Sequence, residues 1–487
     1  MKKKIWIITL LVFGGVCGHA QETDKVKTVN IAGIDQDVKE STASISLISG
    51  ENLTKRSAKN VTNSLFGYGL GLTALQNSGS YSSQEPTLYI RGLQTLSSST
   101  PLMLVDGIER DITLVTSEEV ESVQILKDAA AVALYGYKGA NGVINIITKR
   151  GKYNTKEIKF TFDHLINWEV RRPEFANAYT YASAINEAYA NDGIRKPRYH
   201  EYEMNAFKTG AYPQYYPNVN WVDEVFKDAA ATNIANMSLR GGGSKFRYFA
   251  MFNWVTDNGF IANAKANDGY STQNKSSKAN LRTNLDIDLT PSTKMTLNLL
   301  GTLAETNKPG DSADLWSMIY SLPATAFPVK TENGLWGGNT TWDGTKNPVA
   351  QSQAAAYTKG HNRSLYADMT LKQDLSSILP GLGAGFMLAY DNWASYVENH
   401  SKTYRYGSDN VQWKSGKPVF VSQYTAGTES EMNTGSELSA WKRNFNMALA
   451  VDYKFENEIH SVYTQLKWNH EYRNINRSEE RRVGKEC

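Results

Sequence analysis

A chain of 487 residues is long enough for more than one domain, and its formal charge of +3 looks basic only until its ends are set aside. Three lysines follow Met1 and residues 477–487 carry a net +1, so the body of the chain has a net charge of −1 and shows no electrostatic footprint for nucleic acid. Cysteine is confined to the same ends, at Cys17 and Cys487, which excludes a disulfide scaffold and a cysteine-ligated metal site from the body of the protein.

The chain opens with Lys2, Lys3 and Lys4, the apolar run IWIITLLVFGGVC and the small-residue site Gly18-His19-Ala20. A charged start, a short apolar core and a small-x-small site read as a secretory signal peptide over residues 1–20. The apolar run is well short of the ~20 residues of a spanning helix. Val16 stands where lipoprotein processing at Cys17 would want a small residue. Residues 21–45 are polar and without pattern, and residues 46–151 mix short strands with short helices.

Within that second region lies VQILKDAAAVALYGYKGANGVINIITKRG (123–151). Val120, Val123 and Ile125 mark a strand, and Asp128 is placed to cap a helix over residues 129–134. Gly136 can end that helix in the left-handed conformation, and Gly139 and Gly142 permit a tight turn into VINIIT. The glycines do not follow GxGxxG and no Gly-Lys-Ser/Thr follows them, which argues against a nucleotide site.

From about Lys156 the chain alternates. In LRTNLDIDLT (281–290), Leu281, Thr283, Leu285, Ile287 and Leu289 share one face, and Arg282, Asn284, Asp286 and Asp288 share the other. KMTLNLLGTL (294–303) repeats the pattern after the spacer TPST and predicts a hairpin. KFRYFAMFNWV (245–255), MALAVDYKFE (447–456) and several other segments behave alike. A soluble sandwich would turn the apolar face inward; a membrane barrel would turn it to lipid. Segments of about ten residues, ends rich in Trp and Tyr, and export without cysteine favour the barrel. A helix is predicted over residues 177–193, ending on Asn-Asp-Gly, and long loops such as 304–360 are expected on the outside. The seven histidines show no HExxH spacing and no catalytic triad is assembled, so an enzyme is not expected.

The terminal string RSEERRVGKEC (477–487) resembles the translation of a sequencing-adapter oligonucleotide. The expectation is that it is not protein sequence and that the reading frame continues; the alternative is a solvated charged tail.

The runs PLMLVDGIERDI (101–112) and EEVESVQILKDAAAVALYGYKGANGVINIITKRG (118–151), with TLYIRGL (87–93) upstream, resemble the plug motif of TonB-dependent outer-membrane transporters, and more narrowly the SusC/RagA family of Bacteroidetes. The resemblance continues through WVDEVFKDAAATNIANMSLRGGGSKFRYFAMFNW and covers residues 1–476. It implies an α+β plug domain followed by an incomplete antiparallel transmembrane β-barrel. The expected division is a signal peptide (1–20), a periplasmic leader (21–45), the plug (46–151) and the first part of the barrel (152–476). Only eight to ten strands are legible where the largest plugged barrels have about 22, so the whole protein is expected to be roughly twice as long.

By the same resemblance, Asp106, Gly107, Lys127, Asp128, Tyr135, Gly136, Gly139, Asn141 and Gly142 build the plug, together with Arg150. Three plug loops, 77–83, 94–100 and 109–112, face the substrate, and Tyr81, Gln94, Arg110 and Asp111 are its expected contacts. The candidate TonB box, Val26, Lys27, Thr28 and Val29 within KVKTVNIAGI, matches the family weakly, and strand addition needs no particular side chains. The small β-sandwich that many members carry before the plug has no room in residues 21–45. The implied function is TonB-driven import of a nutrient, an oligosaccharide or a peptide. The implied partners are TonB, a SusD-like surface lipoprotein lid and outer-membrane lipid; no cofactor is implied. A surface receptor for binding or signalling is the alternative.

Overall fold

The computed structural model describes residues 28–31, 34–37, 41, 43–76, 85–95, 98–310, 314–457 and 460–477. The leader 1–20, Tyr81 and the terminal residues 478–487 lie outside the described residues.

The first part is a small mixed α/β unit. A hairpin of β1 (Thr28–Ile31) and β2 (Ile34–Asp37) precedes β3 (Ile45–Ser49). Then come β4 (Leu72–Leu75), paired with β5 (Thr87–Ile90), and the strands β6 (Leu102–Val105), β7 (Ile108–Glu109), β8 (Val120–Leu126) and β9 (Val143–Thr148). Five of these form one sheet in the order β3-β8-β9-β6-β7. The central strands β8 and β9 are buried on both faces, with Ser122, Gln124 and Asn145 as polar residues among the apolar ones. Val123, Ile125, Ile144 and Ile146 are fully buried in a core shared with Leu53 and Leu65.

The glycine-punctuated stretch is not a parallel crossover, because β8 and β9 run antiparallel and the parallel neighbour of β9 is β6. Its helix is also shorter than expected. It covers Ala129–Val132 and tightens into a 3-10 segment, Ala133–Gly139, broken at Gly136 with φ +59°. Gly142 has φ +87°, and a Cβ there would lie 2.7 Å from Ile90 Cδ1, so the turn into β9 needs glycine on two counts.

The VDG signature has a physical reading. Asp106 and Gly107, with φ of +51° and +83°, form the two-residue turn between β6 and β7, the geometry that Asp-Gly suits. The Asp106 carboxylate accepts from the Thr148 N–H at 2.9 Å and from its hydroxyl at 2.7 Å, so the turn is tied to the end of β9.

The second part is a meander of long strands: β10 (Lys156–Trp168), β11 (Ala229–Gly242), β12 (Phe246–Asn258), β13 (Lys275–Thr290), β14 (Thr293–Pro309) and, after the short β15 (Trp336–Gly337), β16 (Ala356–Asp374) and β17 (Leu382–Ser401). A separate hairpin, β18 (Tyr406–Lys414) and β19 (Lys417–Ala426), precedes β20 (Asn433–Glu456) and β21 (Ser461–Arg477). Among the described residues nine strands form one antiparallel sheet, β10-β11-β12-β13-β14-β16-β17-β20-β21, which is open, with β10 and β21 as its edges.

The strands run from 13 to 24 residues, longer than the ten expected, because pairing continues past the apolar stretch of each. The hairpin at Pro291-Ser292 forms as expected. Short turns join the strands at one rim. Residues 169–228, 259–274, 310–355 and 402–432 connect them at the other and carry most of the helices outside the plug, including Ala178–Asn191, which Asn177 caps.

The two faces of the sheet decide between sandwich and barrel. Leu281, Leu303, Leu449 and Trp468 are each about half exposed or more, while Arg282, Asn284, Asn253 and Asp257 are almost fully buried. The apolar face is outside and the polar face is covered by the plug, which is the inverted order of a membrane barrel.

Candidate functional site

The polar inner face of the wall is where the two parts meet, and β13 shows how the sequence builds it. Alternation turns Asn280, Arg282, Asn284 and Asp286 inward together. Asn280 donates to the Leu114 carbonyl at 2.8 Å, Asn284 donates to the Thr148 hydroxyl and the Lys149 carbonyl at 2.8 Å, and Asp286 pairs with Arg150 at 3.1 Å. Arg282 pairs with Glu119, both nearly fully buried. Glu119 is itself fixed, because its carboxylate also accepts from the Thr116 N–H at 2.5 Å and closes a capping box. Lys59 pairs with Asp257 of β12, and Lys138 bridges Glu109 of the plug and Glu471 of β21 at 3.0 Å each.

The most extensive of these buried contacts is at Arg110, just after β7. Its guanidinium donates through Nε and Nη2 to Asp391 of β17, the shortest at 2.8 Å, and through Nη1 to Asp368 of β16 at 2.6 Å. Asn298 of β14 donates to the second oxygen of Asp368 at 2.6 Å. The Tyr366 ring lies 5.3 Å from the guanidinium carbon. Burial alone would push the Arg110 pKa down, but the two carboxylates outweigh it and hold the guanidinium above its ordinary value. No change of pH in the physiological range opens this contact through the arginine.

Beside it is a cavity of about 300 Å³, lined by plug residues Met103, Glu109, Arg110 and Asp111 and by wall residues including Trp393 and Lys442. A molecule entering here would meet charge of both signs and an indole, and would touch the group that ties the plug to the wall. Because breaking one member of a buried ion cluster strands the others, such a contact can favour two discrete arrangements over a gradual loosening.

The profile of the TonB-dependent receptor plug domain matches residues 37–143, the segment that holds β3, β6, β7 and β8 of the five-stranded sheet, and Arg110. A TonB-dependent receptor of Formosa agariphila is 24% identical over 317 residues, 63% of this chain and 28% of that protein. The TonB-dependent receptor SusC of Bacteroides thetaiotaomicron is 25% identical over 254 residues, 49% of this chain and 23% of that protein. Among solved structures, the RagAB peptide importer in its open-open state superposes with a TM-score of 0.67 at 17% identity, over 91% of this chain and 48% of that one.

The chain carries the plug domain of a TonB-dependent receptor and is similar to receptors of the SusC/RagA type. It matches less than a third of the length of these two curated receptors and about half of the RagAB chain.

Within this plug and wall the sequence-predicted residues separate by role. Lys127 donates to the Leu70 carbonyl at 3.0 Å, and Asn141 donates to the carbonyls of Ser98 and Thr100 at 3.0 and 3.3 Å, pinning the loop around Gln94. The Asp128 carboxylate accepts from the Ser44 N–H at 2.7 Å and joins the glycine-punctuated corner to the start of β3. Tyr135 packs against Leu104, Leu126 and Val143, and Gly139 lies where a Cβ would press on Val132 and Tyr135. Of the proposed substrate contacts, Arg110 and Asp111 line the cavity. Asp111 also holds the turn Ile112–Leu114 through the Thr113 N–H at 2.9 Å. Gln94 is exposed, with its amide turned back to the Ile90 carbonyl at 2.7 Å, and Tyr81 is outside the described residues.

The candidate TonB box is divided in the same way. Val26 and Lys27 lie outside the described residues, whereas Thr28 and Val29 belong to β1, where Thr28 pairs with Asp37 and Val29 is buried against the plug. Thr28 and Val29 therefore already have a strand partner in β2.

Sequence reasoning missed Glu119, Arg282, Asp368 and Asp391. Alternation marked each wall residue as facing one side, but nothing local identified a partner more than a hundred residues away.

Proposed function

We propose that this receptor imports a nutrient across the outer membrane, with residues 46–151 acting as the plug, residues 152–476 as barrel wall and the TonB system supplying energy. The observation that carries the reading is Arg110, which lines the plug–wall cavity and also holds the plug to Asp368 and Asp391. Ligand contact and plug release therefore meet in one group. The protein acts as a transporter and not as a catalyst, and reaches the membrane through cleavage of the leader 1–20. A surface lipoprotein covers the long connections, and TonB captures an N-terminal segment as an added strand.

The cargo is an oligosaccharide or a peptide. Glu109, Asp111 and Lys442 suit the charged ends of a peptide, the cargo named for the structurally similar RagAB importer, while Trp393 offers a stacking face to a sugar.

The test is uptake of labelled oligopeptides and labelled oligosaccharides by cells with and without the gene, each repeated with a protonophore. Uptake of one class that needs both the gene and the proton gradient is expected. Ligand bound at the surface, with no gene-dependent uptake, would overturn import in favour of a receptor.

A further inference from the structure

The outward face of the wall is not uniformly apolar. On β16 the outward residues Leu371, Met369, Ala367 and Leu365 lead to Arg363, and on β20 the run from Phe455 through Leu449 to Phe445 leads to Arg443. Each arginine stands at the long-connection end of an apolar run. Past Arg363 the face becomes polar, with His361 between Glu305 and Glu398 at 3.4 Å each. Among the described residues neither Arg363 nor Arg443 has a carboxylate within ion-pair distance. Arg443 instead lies 4.0 Å over the Trp441 ring, and Trp441 donates to Asn392 at 3.2 Å.

Between the arginines and the middle of the sheet lies a groove of about 500 Å³. Its floor is made of small residues: Gly301, where an added Cβ would meet nothing, with Ala279 and Ala394. Leu281, Leu303 and Leu365 rise around it, each more than 40% exposed. Arg363 lines the groove, as does Asn392, whose register partner on β20 is Arg443.

We propose that this groove binds a phosphorylated, acylated glycolipid of the outer leaflet, with an acyl chain over Gly301 and a headgroup phosphate held by Arg363 and Arg443. The proposal rests on the reading above, that the wall stands in the outer membrane with its long connections outside. Charge complementarity favours this occupant. An arginine at the edge of a lipid-facing apolar run lacks both full hydration and a carboxylate, and a headgroup phosphate supplies the bidentate anion that guanidinium geometry suits. The two arginines are two strands apart, about 10 Å, which both side chains can bridge to one headgroup. The groove lies within the ~300–1,000 Å³ typical of small-ligand sites.

Native mass spectrometry of the detergent-purified protein, titrated with bis-phosphorylated hexa-acyl lipid A and separately with phosphatidylglycerol, tests this. The wild type is expected to prefer lipid A. Arg363→Gln with Arg443→Gln should weaken that binding at least roughly tenfold, as loss of charge-assisted hydrogen bonds does. Gly301→Leu should weaken it with both arginines intact, and Arg363→Lys with Arg443→Lys, which keeps the charge but not the bidentate fork, should fall between the wild type and the Gln pair. Equal binding of lipid A by the wild type and the Gln and Leu variants overturns the site. Equal affinity of the wild type for phosphatidylglycerol overturns the glycolipid assignment in favour of a general anionic-lipid contact. Density-gradient fractionation separates the two readings. A wild-type protein in the outer membrane with unaltered variant binding sinks only this proposal, and absence from that membrane sinks the transport reading and this proposal with it.

Discussion

The plug and the wall use the same apolar residues in opposite senses. In the plug, Ile144 and Ile146 of β9 are fully buried, and β8 and β9 are covered on both faces. In the wall, Leu281 and Leu449 face outward about half exposed, and the buried residues include Arg282, Asn284 and Asp368. The plug is organised by water exclusion, and the wall by a lipid-facing exterior and a hydrogen-bonded interior. The interface between them is therefore polar, and it is held by partners that lose much of their stabilisation when one is removed.

This contrast can be broken most strongly in the plug. Ile144→Asp puts an unpaired charge into a closed core and should cost about 4 kcal/mol or more. Limited proteolysis of the membrane-embedded protein should then cut within residues 46–151 while the wall stays intact; a plug that remains resistant would mean that its core is not closed.

At the interface, Arg110→Ala leaves Asp368 and Asp391 buried together without their cation, a loss of about 3–5 kcal/mol. Hydrogen exchange at residues 102–114 should rise, and adding Asp368→Asn and Asp391→Asn should restore part of the protection. A triple variant no better than Arg110→Ala would show that the arginine acts through something other than these carboxylates.

On the wall, Leu449→Arg at the centre of an outward run should cost about 2–4 kcal/mol in lipid. Urea titration of folding into vesicles measures it. An effect within error would place that face outside the bilayer.

The smallest expected effect sharpens the turn chemistry. Gly142→Ala, at φ +87° and against Ile90, should cost about 1–3 kcal/mol. Gly136→Ala, also at positive φ but with open space around its Cβ, should cost less, and thermal unfolding of the two variants gives the order.

Particular residues show how far the sequence reached. Leu281 to Leu289 and Met295 to Leu303 were legible as a hairpin because alternation is a local property, and β13 and β14 pair as expected. Gly142 was legible as a turn residue because backbone conformation restricts which residues fit there, whereas Asp106-Gly107 entered only through the plug motif and its turn emerged in the structure. The helix after Asp128 was read two residues too long, since α geometry stops at Val132 and the chain tightens into a 3-10 turn before Gly136. The hairpin β18–β19 gave no signal of where it would dock; it joins β15, about seventy residues earlier, above the wall.

By itself, then, the sequence determined the local periods, the turns and the division into a mixed front and a long β remainder, because each depends on neighbours a few residues apart. Which face of each strand is buried, and which charges are paired, only the tertiary structure decided. Alternation is identical whether the apolar side faces a core or a lipid. The contacts of Arg110 with Asp368 and Asp391 join residues 258 and 281 positions apart, beyond any local pattern.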